Sequence, residues 1–275
     1  MTTITEEQRA TLLLLARVQY LNTPQLMRMG VFGSVRTLRR HLKSLMDMGF
    51  VISSSYGVQP AVGKLPTLYS LTTKGGKFLV DTEYLNPEEI KASKTHKNEI
   101  KAYRDYHHRT GLIDALLSIL GALDARGIRE RLLEFYFRKE SLHGAKRTTI
   151  KLPDGRALEP DAVLLFDTPD NRARLFLVEY YEDSEQVERI RKALHRHAEA
   201  IGTGSPSIAY GLNVGHRVLC VFRHEHTARA IVRHLHTTDE YKDIQNRFLC
   251  VTLDAIMSDP IGQWATPSGA RVDIL

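Results

Sequence analysis

The stretch Thr23-Pro-Gln-Leu-Met-Arg-Met-Gly30, followed after three residues by Ser34-Val-Arg-Thr-Leu-Arg-Arg-His-Leu-Lys-Ser-Leu45, reads as two helices joined by a short turn. Thr23 is suited to cap the first helix, with Pro24 at the first helical position, where a missing N–H costs nothing. Gly30 closes it. Ser34 is suited to cap the second, in which Val35, Leu38, Leu42, Leu45 and Met46 recur at helical spacing and should face a core. At about 100° per residue, Arg36, Thr37, Arg40 and Lys43 then point away from that core, with Arg39 at its edge. A basic helix face after a turn suits entry into a DNA groove, because phosphate contacts release counterions and supply affinity for any sequence.

Upstream, Thr5 with Glu6 and Glu7 marks the start of a helix running to about Tyr20, with Leu12, Leu13, Leu15 and Ala16 on its apolar side. Downstream of Gly49 the pattern alternates. Phe50-Val-Ile-Ser-Ser-Ser-Tyr56 and Leu68-Tyr-Ser-Leu-Thr72 read as a hairpin around a loop holding Gly57, Pro60, Gly63, Lys64 and Pro66. Three helices and such a hairpin make a winged helix, with Lys64 at the wing tip placed to touch phosphate or the minor groove. Thr73 starts a closing helix with Lys74 and Lys77. A domain over residues 1–82 is expected. Winged helices also dock proteins, so the pattern alone leaves two kinds of partner.

Charge separates them. From Met1 to Val80 there are ten Lys or Arg against three Asp or Glu, and the rest of the chain carries twenty-eight against twenty-nine, so the whole +6 excess lies at the N-terminus. That asymmetry favours double-stranded DNA as the partner. With 275 residues, 43% hydrophobic and 25% charged, the chain is long enough for two cores, and its composition argues against disorder. No apolar run approaches the roughly 20 residues of a membrane span, and Met1-Thr-Thr-Ile-Thr-Glu-Glu7 is not signal-like, so a cytoplasmic protein without membrane contact is expected. Cys220 and Cys250 lie in apolar stretches and read as buried reduced thiols.

Polar residues and Pro87 mark 83–104 as a linker, with a second domain over 105–275. It opens on a helix from His107 to Arg126 whose apolar band, Leu112 to Leu123, should be largely buried. Strands are expected at Leu132–Phe137, Asp161–Phe166 and Ala173–Tyr181, with turns at Pro153-Asp-Gly155 and Pro169-Asp-Asn171. A charged amphipathic helix from Ser184 to Ile201 follows, then a Gly-Ser-Pro loop, a strand from Arg217, a helix at Thr227–Leu235 and a strand at Phe248–Thr252. Helix, three strands, helix, strand, helix, strand suggests an α/β domain with a mixed sheet, and an α+β protein overall.

Within it, Glu159-Pro-Asp161 opens one strand and Glu179 closes the next, so a hairpin can bring Asp161 and Glu179 to neighbouring strand ends. Two acids meeting there suit a hard divalent cation, which polarises a phosphodiester and activates water. Lys192 on the following helix is a candidate to stabilise the transition-state charge. Acids that bracket a hairpin are also common as solvated turn residues. Three His-x-His pairs occur; spacing on a helix rules against chelation by His195/His197 and His234/His236, and leaves His224/His226 in an expected loop.

Both halves, in this order, resemble the replication-relaxation family of plasmid and integrative-element proteins, which includes MobC-type relaxases. The resemblance is carried by Leu12-Leu-Leu-Leu-Ala-Arg-Val-Gln-Tyr-Leu-Asn-Thr-Pro-Gln-Leu26, by Arg36 through Val51, by Glu159-Pro-Asp-Ala-Val-Leu-Leu-Phe166, by Leu175-Phe-Leu-Val-Glu179, and by Arg189-Ile-Arg-Lys-Ala-Leu194. It implies a PD-(D/E)xK restriction-endonuclease-like second domain, with Asp161 and Glu179 at the metal-binding positions for Mg²⁺ or Mn²⁺. The position two beyond the Glu, where nucleases carry Lys, is Tyr181, and Lys192 is the candidate replacement. Tyr180 and Tyr181 are nicking nucleophiles on one reading and a buried or stacking pair on the other. Two functions stay open: a DNA-binding regulator or accessory factor of a mobile element, with a degenerate nuclease-like domain, or a metal-dependent nickase at an origin of transfer. A homodimer on two-fold symmetric sites is expected.

Overall fold

Thr5 begins the first helix by exchanging hydrogen bonds with Gln8: its Oγ1 accepts from the Gln8 N–H at 3.3 Å, and its own N–H donates to Gln8 Oε1 at 3.0 Å. In the computed structural model, which describes residues 4–59, 63–86, 106–138, 145–182 and 187–275, the chain divides into two units, residues 1–106 and 107–275. The first holds α1 (Glu6–Val18), β1 (Leu21–Asn22), α2 (Thr23–Arg28), α3 (Val35–Asp47), β2 (Val51–Ser54), β3 (Val58–Gln59), β4 (Gly63–Lys64), β5 (Leu68–Leu71) and α4 (Thr73–Asp81). Strands β1, β5 and β2 form an antiparallel sheet in that order, and β3 pairs with β4 to extend the hairpin into a tip. This is the winged-helix arrangement expected from the helix–turn–helix pattern and the hairpin.

Several local details differ from expectation. α1 stops at Val18 rather than Tyr20, because Gln19 takes φ 72° and the Tyr20 N–H reaches back to the Val18 carbonyl at 2.9 Å, a tight three-residue reversal. Asn22, not Thr23, caps α2: its side chain accepts from the Gln25 N–H at 2.9 Å while Gln25 answers its backbone N–H, so Pro24 falls one position further in. Val35 is 40% exposed instead of facing the core, which is built by Leu38, Leu42 and Leu45. β1 has only two residues, too few to show a periodicity. Ser34 caps α3 as expected, accepting from the Thr37 N–H at 3.1 Å. Pro60 and the linker beyond residue 86 lie outside the described residues.

The second unit is built on a seven-stranded sheet. Its elements are α5 (Tyr106–Asp124), β6 (Glu130–Phe135), β7 (Ile150–Lys151), β8 (Ala157–Leu158), β9 (Ala162–Asp167), β10 (Ala173–Tyr181), α6 (Val187–Thr203), α7 (Ser205–Ala209), β11 (Arg217–Phe222), α8 (Glu225–Thr237), β12 (Phe248–Thr252), α9 (Leu253–Ser258), β13 (Trp264–Ala265) and β14 (Arg271–Val272). The strand order is β14-β13-β12-β11-β10-β9-β6. β6, β9 and β10 are antiparallel neighbours, while β11 and β12 run parallel to β10. The mixed sheet is as expected. The supposed Gly-Ser-Pro loop instead contains α7, with Gly204 at φ 66° just before it and Pro206 in its first turn. The expected turn at Pro153-Asp-Gly155 joins the two short strands β7 and β8, which no sequence pattern marks, as none marks α9 or the last two strands.

Alternation along β10 sends Leu175, Leu177, Glu179 and Tyr181 to one face and Phe176, Val178 and Tyr180 to the other. On the first face Leu177 and its neighbours pack with Ala200 of α6, and Cys220, Phe222 and Cys250 pack with Ile190, Leu194, Ile231 and Leu235. On the second, α5 approaches so closely that a Cβ at Gly111 would come within 2.2 Å of Cζ and the hydroxyl oxygen of Tyr180. The apolar band of α5, Leu116 included, is buried within the chain itself. Cys220 and Cys250 are free, buried and in direct register on parallel strands.

Two glycines of α5 should respond with opposite signs. Gly111→Ala overpacks against Tyr180 and should cost about 1–3 kcal/mol, whereas Gly121→Ala, with nothing within 4 Å of the new methyl, should stabilise by up to about 1 kcal/mol. Urea unfolding midpoints of the full chain measure both.

Candidate functional site

α3 presents two faces of different chemistry. Leu38, Leu42 and Leu45 are at most 1% exposed, while Arg36, Arg39, Arg40 and Lys43 are exposed and Thr37 is half-buried, its hydroxyl 3.0 Å from Ser34 Oγ. Lys64 is exposed on β4, paired in register with Val58. Among the described residues none of these five cations makes an ion pair. Arginines of the second unit behave otherwise: Arg131 meets Asp167 at 3.1 Å, Arg147 meets Glu134 at 3.2 Å, Arg172 meets Asp170 at 2.6 Å and Arg229 meets Glu225 at 2.5 Å.

The ends of α3 are treated unequally. Its first turn holds no acid although a helix N-terminus attracts negative charge, and Arg36 sits there against the dipole. At the other end Lys74 of α4 donates to the Met48 carbonyl at 2.8 Å, supplying the cation that a C-terminus favours. The positive end of α3 is thus left without an anion inside the first unit's described residues.

The acid pair lies at the strand ends of the second unit. Ala162 stands opposite Val178, so one further step of the same register sets Asp161 opposite Glu179. Asp161 Oδ1 lies 3.1 Å from His108 Nε2 on α5, and Oδ2 accepts the Tyr180 backbone N–H at 2.8 Å. On the other face, Glu179 Oε1 lies 2.6 Å from Nε2 of His197, a fully buried residue of α6. Burial pushes the Glu179 carboxyl well above its ordinary range, and the Asp161 charge adds to this. Burial also drives His197 down to about 4, so both partners favour their neutral forms and the contact is a hydrogen bond rather than an ion pair. Glu134, a second buried acid, differs: it sits between Arg138 and Arg147.

Asp161 and Glu179 are the pair expected to hold Mg²⁺ or Mn²⁺. Three of its four carboxylate oxygens are committed to hydrogen bonds, and among the described residues no cluster of three or more His, Cys, Asp or Glu could hold a metal ion. Tyr181, in the position a nuclease gives to Lys, is stacked on Phe222 at 5.1 Å, and its hydroxyl is shut off from solvent. Tyr180 is buried and donates to Glu182 Oε2 at 2.6 Å, with its phenol pushed up by burial first and by that hydrogen bond second. Neither phenol is presented as a nucleophile. Lys192 is exposed on α6, about 140° round the helix from His197, and is not brought to the acids.

The sequence reading passes over His108 and treats His197 only as half of a His-x-His pair, without its acid partner. Each stands in the apolar stripe of its helix, His108 four residues before Leu112 and His197 three after Leu194, and a histidine in such a stripe facing a strand-end acid is the signal. Lys146, on the segment before β7, had also been missed; its Nζ lies 2.6 Å from Glu159 Oε2. His226 lies in the first turn of α8 rather than in a loop, its ring stacked on His224 at 5.5 Å.

His216, at the start of β11, is buried with Nε2 unpartnered, and burial lowers it to about 3. A histidine depressed in the folded state contributes stability that is complete above about 6.5 and is lost as pH falls toward the folded value. Glu179, raised, acts oppositely and weakens the fold as pH climbs above its ordinary range. His216→Leu should therefore flatten the acid limb of stability between about pH 6.5 and 3, by up to about 1.4 kcal/mol per pH unit. Denaturant midpoints across that range measure it.

No helix among the described residues is long and apolar enough to cross a membrane. No curated protein and no solved structure matches the chain. Residues 12–215, from within α1 through both acids to the loop before β11, match the family described as Replication-relaxation, and it is to this family that the chain belongs.

Proposed function

We propose that the chain docks on duplex DNA through α3, with Arg36, Thr37, Arg40 and Lys43 entering the major groove and Arg39 and Lys64 on the phosphate backbone. It then acts for a mobile element as a regulator or accessory factor in replication or transfer, as a homodimer on two-fold symmetric sites. The observation that carries this is the charge of α3: four exposed cations without acidic partners among the described residues, one of them, Arg36, at a helix end that itself seeks negative charge. Family membership fits a role in replication and relaxation of mobile elements. The order α5-β6-β9-β10-α6-β11, three antiparallel strands followed by a helix and a parallel strand, supports a nuclease-like second domain, and Tyr181 and the hydrogen-bonded acids support its being degenerate.

A second reading, a metal-dependent DNA nickase, is favoured by one observation, the register that sets Asp161 opposite Glu179. The two are separated by incubating supercoiled plasmid with the protein and Mg²⁺ or Mn²⁺, beside Asp161→Ala. Nicking that the substitution abolishes establishes the enzyme; intact plasmid with retained binding leaves the accessory factor.

Gel retardation of the full chain over a salt series tests the docking face. Affinity should fall steeply with salt, Arg39→Ala and Lys64→Ala should each reduce the slope of log affinity against log salt by about one, and Arg40→Ala should lower affinity, relaxing specificity only if Arg40 touches a base edge. Absence of any retarded duplex at low salt overturns the reading.

A further inference from the structure

We propose that Val35 reads the C5-methyl group of a thymine in the major groove, which makes it a specificity-determining residue; this rests on the DNA-docking reading above. Val35 belongs to the apolar spacing of α3 yet is 40% exposed, where Leu38, Leu42 and Leu45 are sealed in the core. The turn before it is sparsely furnished: Gly33 and Gly30 carry no side chain, and a Cβ built at either would meet no atom within 4 Å. The bare turn leaves room for a duplex to approach the backbone closely.

Three features fit the residue for a contact rather than for idle exposure. It is the first residue of α3, and recognition helices offer their N-terminal residues to base edges. The Ser34 cap, with Oγ 3.1 Å from the Thr37 N–H and 3.0 Å from Thr37 Oγ1, pins the turn on which Val35 stands, and a β-branched side chain there has few rotamers to lose. Its neighbours Arg36 and, one turn on, Arg39 are exposed and without acidic partners. A surface of that charge selects a polyanion, and the major groove of DNA displays one apolar group to a side chain, the thymine methyl. An exposed valine beside those arginines finds a matching partner only there.

The test uses the full chain. A preferred duplex is first selected from a random pool, and each thymine in it is then replaced in turn by uracil, which removes only the methyl. At one position the replacement should weaken wild-type binding about fourfold, the effect of one buried methyl group. Val35→Ala should weaken binding to the thymine duplex by a similar factor and be indifferent to uracil at that position. Ala is at home on an exposed helix surface, and a thermal melt confirms that the variant is folded. Val35→Thr, of the same shape, should retain part of the discrimination. Wild-type binding that ignores every uracil, or Val35→Ala that still discriminates, overturns the proposal while leaving DNA docking intact. Failure to select or retard any duplex removes the docking reading and the proposal with it.

Discussion

A strand covered on both faces leaves the polar groups at its end nowhere to turn but to one another, and β10 is such a strand. Leu175 through Tyr180 are all buried, α6 lies over one face and α5 over the other, and Glu179 is carried into that sandwich by the alternation that packs Leu175 and Leu177. An ionised carboxylate there is costly, so the surroundings supply a neutral histidine from α6 and hold the neighbouring acid by a histidine from α5 and a backbone N–H. The arrangement at the strand ends follows from burial first and from ligand chemistry only after that.

The first unit is governed by a different imbalance. Its helices are tied together: α1 is held to α3 by a 3.0 Å hydrogen bond from Gln8 Nε2 to Ser44 Oγ, and α4 to the C-terminal end of α3 by Lys74. What is left open is electrostatic, since the cations of α3 are left to solvent, with Arg36 in the first turn, where a cation is least favoured. Free energy gained when that charge meets phosphate is therefore not offset by ion pairs that must first be broken. Arginines of the second unit that already meet a carboxylate, such as Arg131, Arg147, Arg172 and Arg229, carry no such reserve.

Much of this was legible in the chain. The spacing of Leu38, Leu42 and Leu45 settled which side of α3 is buried, Ser34 settled where it starts, and the apolar band of α5 and the β-rich runs at 161–166 and 173–181 located the sheet. Short-range competition was harder to read. Asn22 outdid Thr23 as a cap because it could trade two hydrogen bonds with Gln25, and Val35 fell on the solvent side because the core ends before the first turn does. Two-residue strands such as β1 and β13 have no period to detect.

Periodicity and charge are local properties, so the sequence by itself determined the longer helices, the main strands, the basic face and the candidacy of Asp161 and Glu179. The partners of those acids were a matter of tertiary structure. His108 lies 53 residues before Asp161 and His197 lies 18 after Glu179, and only the packing of α5 and α6 on opposite faces of the sheet brings the four together. The same packing leaves Lys192 facing water, because a helix turns its apolar stripe inward and Lys192 is not on it.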